Sequence, residues 1–160
     1  MRAMKLLFVC TGNTCRSPMA EVIARQLIAE RGLNDVHVAS AGASAWDGSA
    51  ASDGALLVAM ERGLDLGNHQ ARSLTPEIVR DADLILAMGP HHVERVEALG
   101  GAGKTHLLTA YAGSGTSRGI SDPFGGELET YRATFAELEH ELERVVDRIA
   151  AERAEPREKP

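Results

Sequence analysis

The sequence predicts an α/β domain built on a small parallel sheet. Three observations lead there: four short apolar runs recur along the chain, helix-forming segments separate them, and glycines punctuate the ends of those segments. Strands alternating with helices pair in parallel, with helices on both faces and ligands gathering beyond the strands' carboxyl ends. A chain of 160 residues fits one domain with a substantial core, expected over residues 1–150.

The elements follow in order. Leu6–Val9 is the first strand and runs into a loop, and a helix is expected over 17–30 with Gly32 at its C-cap. Val36–Ala39 is the second strand, followed by a helix over 52–62 that Gly63 closes. A short helix over 76–81 leads to the third strand, Leu84–Ala87. Another helix, over 90–99, precedes the fourth strand, Thr105–Leu108. The last helix starts near Leu128 and carries Tyr131, Phe135, Leu138, Leu142, Val145, Val146 and Ile149 on one stripe. That stripe is expected to pack on the sheet, being too short to argue for a coiled-coil dimer. Beyond Ala150 the polar tail over 151–160 is expected to fray.

Composition narrows the class. Hydrophobic residues make up 44% of the chain and charged residues 25%, as in ordinary globular domains. Seventeen basic against 23 acidic side chains give a net charge of −6, which argues against generic nucleic-acid binding. No apolar run approaches the ~18 residues of a membrane helix, and Leu6–Val9 is too short for the core of a secretory leader. No membrane partner is expected, and a cytoplasmic location is the default.

The chemistry concentrates in Cys10-Thr11-Gly12-Asn13-Thr14-Cys15-Arg16-Ser17-Pro18, between the first strand and the first helix. Backbone amides and the positive end of a helix dipole both favour an anion at such a junction. Gly12 and Asn13 are the residue types that accept left-handed backbone angles, so the amides of Thr11, Gly12, Asn13, Thr14 and Cys15 can turn inward as a nest. Arg16 closes the ring with a planar, permanently charged fork. Ser17 is expected as N-cap, with Pro18 in the first helical position. The field that holds a phosphate also favours a thiolate, so Cys10 reads as a nucleophile toward phosphorus. An ordinary strand-end cysteine is the plainer alternative, and the surrounding residues weigh against it. Cleavage then needs a proton for the leaving group. Asp122, in Ser121-Asp122-Pro123-Phe124-Gly125-Gly126, is the candidate, although aspartate before proline is also a common turn.

Two other sites can be set aside. Cys10 and Cys15 with His69, His91, His92 or His106 would make a zinc site on paper, but Arg16 puts a fixed cation where the metal would sit. Gly100-Gly101-Ala102-Gly103-Lys104-Thr105 has the look of a nucleotide-binding loop, yet Ala98 stands where its first glycine is required, and it follows a helix rather than a strand.

Residues 9–18 resemble, without a gap, the signature of the low-molecular-weight protein phosphatases, Val-Cys-x-Gly-Asn-x-Cys-Arg-Ser-Pro. The resemblance implies a four-stranded sheet of order 2-1-3-4 with the phosphate loop after the first strand. It implies Cys10 as nucleophile, Arg16 as phosphate ligand and Asp122 as general acid, with phosphorylated proteins as substrates and inorganic phosphate as product. No cofactor or metal is implied, so activity should persist in chelator. Ser40 and His69 match residues that support the loop asparagine, here Asn13, and Ser17 one that donates to the thiolate. Trp46 falls where the family often has an aromatic cleft wall, and Cys15 where a reversible disulfide with the nucleophile can form.

Within the family, Thr11 and Phe124 resemble the protein-arginine phosphatases, whereas Trp46 suits a phenolic ring. Phosphoarginine is therefore expected ahead of phosphotyrosine, with Thr11 making the distinction. Arsenate reductase is a weaker alternative, because no cysteine follows Cys15 to carry the disulfide onward. A phosphoprotein-binding module is weaker still, having no use for both Cys10 and Asp122.

Overall fold

The computed structural model describes residues 2–114 and 118–154. Its elements are β1 (Met4–Cys10), α1 (Arg16–Glu30), β2 (Val36–Gly42), α2 (Asp53–Glu61), α3 (Pro76–Asp81), β3 (Leu84–Ala87), α4 (Pro90–Val96), β4 (Thr105–Leu107), α5 (Leu108–Tyr111) and α6 (Leu128–Ala154). The four strands are parallel in the order β2-β1-β3-β4.

Alternation along β1 divides the core. Leu6 and Phe8 face a cluster with Met19, Ile23, Leu138 and Leu142, while Leu7 and Val9 join Val79, Ile85 and Val96 on the other face. Fully burying side chains such as Phe8 and Phe135 contributes roughly 2–3 kcal/mol each. The α6 stripe is buried as its spacing predicts, but chiefly against α1 and α2 rather than directly on the strands.

Local signals act where expected at Gly32 and Gly63. Both have positive φ just past a helix, and Leu33 and Leu64 amides return to the carbonyls of Ile28 and Ala59. Several boundaries differ from expectation, among them β1, which spans Met4–Cys10, and β2, which runs on to Gly42. The helix over 90–99 ends at Val96 and gives way to a wider turn over Glu97–Gly101, broken by Gly100 at φ 104°. The fourth strand stops at Leu107, because Leu108 already begins α5. The stretch expected to fray from 151 is helical as far as Ala154, where Arg153 pairs with Asp35 and with the Arg2 carbonyl. The remainder of the expected tail, 155–160, lies outside the described residues.

The register places the site. Cys10 pairs with Gly42, and Val9 with Ala87, so the carboxyl ends of β1, β2 and β3 open onto one edge of the molecule. The loop 11–15 sits there, at the amino end of α1.

Candidate active site

The loop between β1 and α1 is wound around Asn13. This is the one non-glycine among the described residues with positive φ, at 56°, and it is fully buried. Its side-chain Nδ2 donates to Ser17 Oγ at 2.8 Å and to Ser40 Oγ at 2.9 Å, and its Oδ1 accepts from the Arg72 amide at 2.9 Å. Its carbonyl lies 2.7 Å from His69 Nε2. Ser40 in turn donates to Glu21 Oε1 at 2.6 Å, and Arg72 Nε to the Ser40 carbonyl at 3.0 Å. With every polar atom of its side chain engaged, Asn13 offsets the cost of its left-handed backbone. The side chain therefore belongs to the frame under the loop and not to the pocket wall.

This arrangement leaves the loop amides free. Among the described residues, none of the amides of Thr11–Cys15 donates to a protein acceptor, whereas the carbonyls of Cys10, Thr11 and Thr14 are taken by the amides of Ala43, Ser44 and Ser52. Carbonyls tied outward and amides left over are the polarity of an anion nest. Gly12 departs from expectation, since the left-handed angle is carried by Asn13 alone. A Cβ at Gly12 would meet only Thr14 Oγ1, at 3.6 Å. The glycine that sterics demand is Gly42, where a Cβ would fall 2.6 Å from the Thr11 carbonyl and 2.9 Å from the Asn13 amide.

A pocket of about 180 Å³ is lined by Cys10, Thr11, Gly12, Thr14, Cys15, Arg16, Asp122 and Phe124. Cys10 is buried at the end of β1, with Ser17 Oγ 2.9 Å from its sulfur. Ser17 does not cap α1. The Cys15 carbonyl already receives the Met19 amide, so Ser17 lies inside the first turn and its hydroxyl turns to Cys10 and Asn13 instead. Arg16 is only 5% exposed; it donates to the Ile120 carbonyl at 3.0 Å and lies 3.4 Å from Asp122 Oδ2. The remaining guanidinium hydrogens have no acceptor among the described residues, so a buried cation borders the pocket with donors to spare. Asp122 is half-exposed, and its Oδ1 accepts the Phe124 amide at 3.1 Å, a turn that Pro123 favours.

Cys15 is buried and free, with Ser52 Oγ at 3.2 Å and Tyr131 Oη at 3.5 Å. Burial, with Cys15 alongside, pushes the Tyr131 hydroxyl above its ordinary pKa. Thr11 and Thr14 differ in a way the sequence does not reveal. Thr11 Oγ1 lies 2.8 Å from His92 Nε2, whereas the nearest partner of Thr14 Oγ1 is the Cys15 sulfur at 3.7 Å. Trp46 is not part of the pocket. It opens a tight turn closed by the Ser49 amide on its carbonyl, with Gly48 at φ 89°, and this leaves its side chain 84% exposed.

Sequence reasoning missed Glu21, Gly42, Arg72, His92 and Tyr131 as parts of this assembly. Among the described residues, no group of three or more His, Cys, Asp or Glu side chains is placed to hold a metal, and no helix is long and apolar enough to cross a membrane.

The model of the low molecular weight phosphotyrosine protein phosphatases matches residues 5–155. The chain belongs to that family. Among its relatives, the protein-arginine-phosphatase of Bacillus subtilis is 38% identical, over 94% of this chain and 99% of that protein. The protein-arginine-phosphatase of Geobacillus stearothermophilus is 41% identical, over 92% and 97%. The low molecular weight protein-tyrosine-phosphatase PtpB of Staphylococcus haemolyticus is 38% identical, over 84% and 92%. Among solved structures, a Cys-to-Ser mutant of the YwlE arginine phosphatase, with a phosphorylated active-site serine, aligns with TM-score 0.88 and 36% identity, over 94% of this chain and 98% of that one. The sheet order of this chain, β2-β1-β3-β4, is the one that the resemblance implies.

Proposed function

We propose that this low molecular weight phosphatase is a protein-arginine phosphatase that works through a cysteinyl-phosphate. The observation that carries the reading is the pocket itself: a buried cysteine, a ring of uncommitted amides, a buried arginine and an aspartate converge on 180 Å³. The amides and Arg16 hold the phosphoryl oxygens as charge builds on them. The Cys10 sulfur attacks in line, forming S–P while the bond to the guanidino nitrogen breaks. The departing electron pair stays on that nitrogen, which takes a proton from Asp122. Water then attacks the cysteinyl-phosphate, gives its proton back to Asp122, and releases inorganic phosphate and the thiolate. Phosphorylated proteins are thus the partners, and no metal or organic cofactor takes part.

The choice of phosphoarginine rests on two supports. Two relatives at 38% and 41% identity are named protein-arginine phosphatases. In addition, the pocket wall offers a threonine hydroxyl without a strong partner, an acceptor for a guanidinium hydrogen. We place that hydroxyl at Thr14 and not at Thr11, because Thr11 is already bonded to His92. The protein-tyrosine reading keeps its own support in the relative named for that activity.

The test is kcat/KM on matched peptides bearing phosphoarginine or phosphotyrosine. The expected result is a preference for phosphoarginine of about tenfold or more, eroded by Thr14→Ile. A preference for phosphotyrosine would replace the substrate and leave Cys10, Arg16 and Asp122 in their roles. Turnover surviving in Cys10→Ser would overturn the mechanism.

A further inference from the structure

His92 is a buried imidazole that the reaction as written does not use. It lies in the first turn of α4, 1% exposed, with Nε2 at 2.8 Å from Thr11 Oγ1 and no partner for Nδ1. Thr11 lines the pocket beside Cys10 and Arg16. One ring nitrogen therefore touches the wall of the site, and the other is buried without a protein partner, beside Gly89 and the His91 ring, the two ring centroids being 3.9 Å apart.

We infer that His92 donates its Nε2 hydrogen to Thr11 and thereby makes the Thr11 hydroxyl a donor to the phosphoryl oxygens. A neutral imidazole carries one ring hydrogen, and a threonine hydroxyl carries one hydrogen and two lone pairs. If the ring hydrogen sat on Nδ1, a buried N–H would have no acceptor, the less tolerated of the two possible vacancies. With the hydrogen on Nε2, Nδ1 is a bare lone pair, and Thr11 Oγ1 must accept. The Thr11 hydrogen is then unused by the protein, in a pocket whose occupant is a dianion. A charged ring would lead to the same polarity, since it too has a hydrogen on Nε2. Burial, the neighbouring His91 and then Arg16 keep the ring uncharged, with its pKa pushed down to about 4.

The two threonines thus divide the substrate between them: Thr11 reads the phosphate, and Thr14 the group that bears it. His92 is a positioning residue, acting through Thr11 and touching no substrate. The inference rests on the phosphatase reading and is indifferent to which phosphate ester is cleaved.

Nitrogen-15 NMR of the imidazole tests it directly, with kinetics alongside. The expected spectrum has His92 protonated at Nε2 near pH 7; a hydrogen on Nδ1 alone would overturn the inference. Thr11→Val and His92→Leu should each lower kcat/KM about tenfold, equally for phosphoarginine and phosphotyrosine peptides, and weaken inhibition by vanadate alike. The double variant should be no worse than the poorer single, and His92→Gln, which keeps a donor in reach, should recover part of the loss. Losses that multiply, or that fall on one substrate only, would refute the role. Should His92→Leu fail to fold, the surface change Thr11→Val still decides, because unaltered kcat/KM and vanadate inhibition there would refute it. A wrong choice between phosphoarginine and phosphotyrosine alters the ratio of the two substrates and leaves all these comparisons intact.

Discussion

Asn13 Nδ2 donates to Ser17 Oγ at 2.8 Å, and that bond settles what the Ser17 hydroxyl hydrogen can do. With its oxygen already accepting, Ser17 has its hydrogen left for the Cys10 sulfur at 2.9 Å. The direction is fixed further out as well, since the Arg72 amide holds Asn13 Oδ1 and Glu21 takes the Ser40 hydrogen. A run of hydrogen bonds thus starts at a carboxylate on α1 and finishes on the nucleophile.

Ser17→Ala removes the donor nearest the sulfur. Alkylation of Cys10 by iodoacetamide at pH 6 should slow by about tenfold, and kcat should fall by a comparable factor, the size of one hydrogen bond to a charged group. Stability should change little, because Ser17 caps nothing. Alkylation at the wild-type rate would show that Ser17 does not stabilise the thiolate.

Two glycines should behave in opposite ways. Gly42→Ala drives a methyl to 2.6 Å from the Thr11 carbonyl, so thermal unfolding should report a loss of about 2 kcal/mol and activity should collapse. Gly12→Ala meets only Thr14 Oγ1 at 3.6 Å and should melt within about 0.5 kcal/mol of wild type. Equal melting temperatures for the two variants would contradict the steric assignment.

Asp122→Asn keeps the shape of the acid loop and removes its proton. We expect kcat to drop by about 10²–10⁴-fold on a phosphoarginine or phosphotyrosine peptide. The drop should be smaller on an aryl phosphate whose leaving group needs no proton. Iodoacetamide should still react with Cys10, since the nucleophile is supported by Ser17. An equal drop on both kinds of substrate would remove Asp122 from the role of acid.

His92 links stability to pH. Its folded pKa near 4 lies below the ordinary 6.5, so between those values the unfolded chain binds a proton that the folded chain does not. The sign follows: stability is intact above pH ~6.5 and is lost as pH falls toward 4, by no more than roughly 3 kcal/mol. His92→Gln should flatten the denaturant midpoint over that window. An unchanged slope would show that His92 titrates normally.

Much of the fold was legible because its signals are local. Leu84–Ala87 is a run of apolar residues buried on both faces, and it forms β3 at the predicted bounds. The extension of β2 to Gly42 was not legible, because Ser40, Ala41 and Gly42 carry no apolar pattern. Gly42 has no room for a side chain because the loop 11–15 rests on it, and Ser40 meets Asn13 from that loop; neither requirement can be read from β2 alone. The loop residues Cys10–Ser17 were legible as a contiguous motif. Arg72 and His92 were not: they reach Asn13 and Thr11 across 59 and 81 residues, and no periodicity records such a contact. His92 invited a zinc reading as one histidine among several, and only its burial beside Thr11 separates it from them. Trp46 shows the reverse: a conspicuous residue, readable equally as a cleft wall or as a loop cover, that stands exposed and does not line the pocket.

Arg16 and the segment bearing Asp122 are fastened to the same point. The guanidinium holds the Ile120 carbonyl, while the Ile120 amide is bonded to the carbonyl of Met88, at the end of β3. The proposed phosphate ligand and the segment that carries the proposed proton donor are therefore joined through one residue. A displacement of that segment against the sheet would move the backbone of Asp122 and draw on the Arg16 guanidinium at once, so a defect at Ile120 would reach both ends of the site.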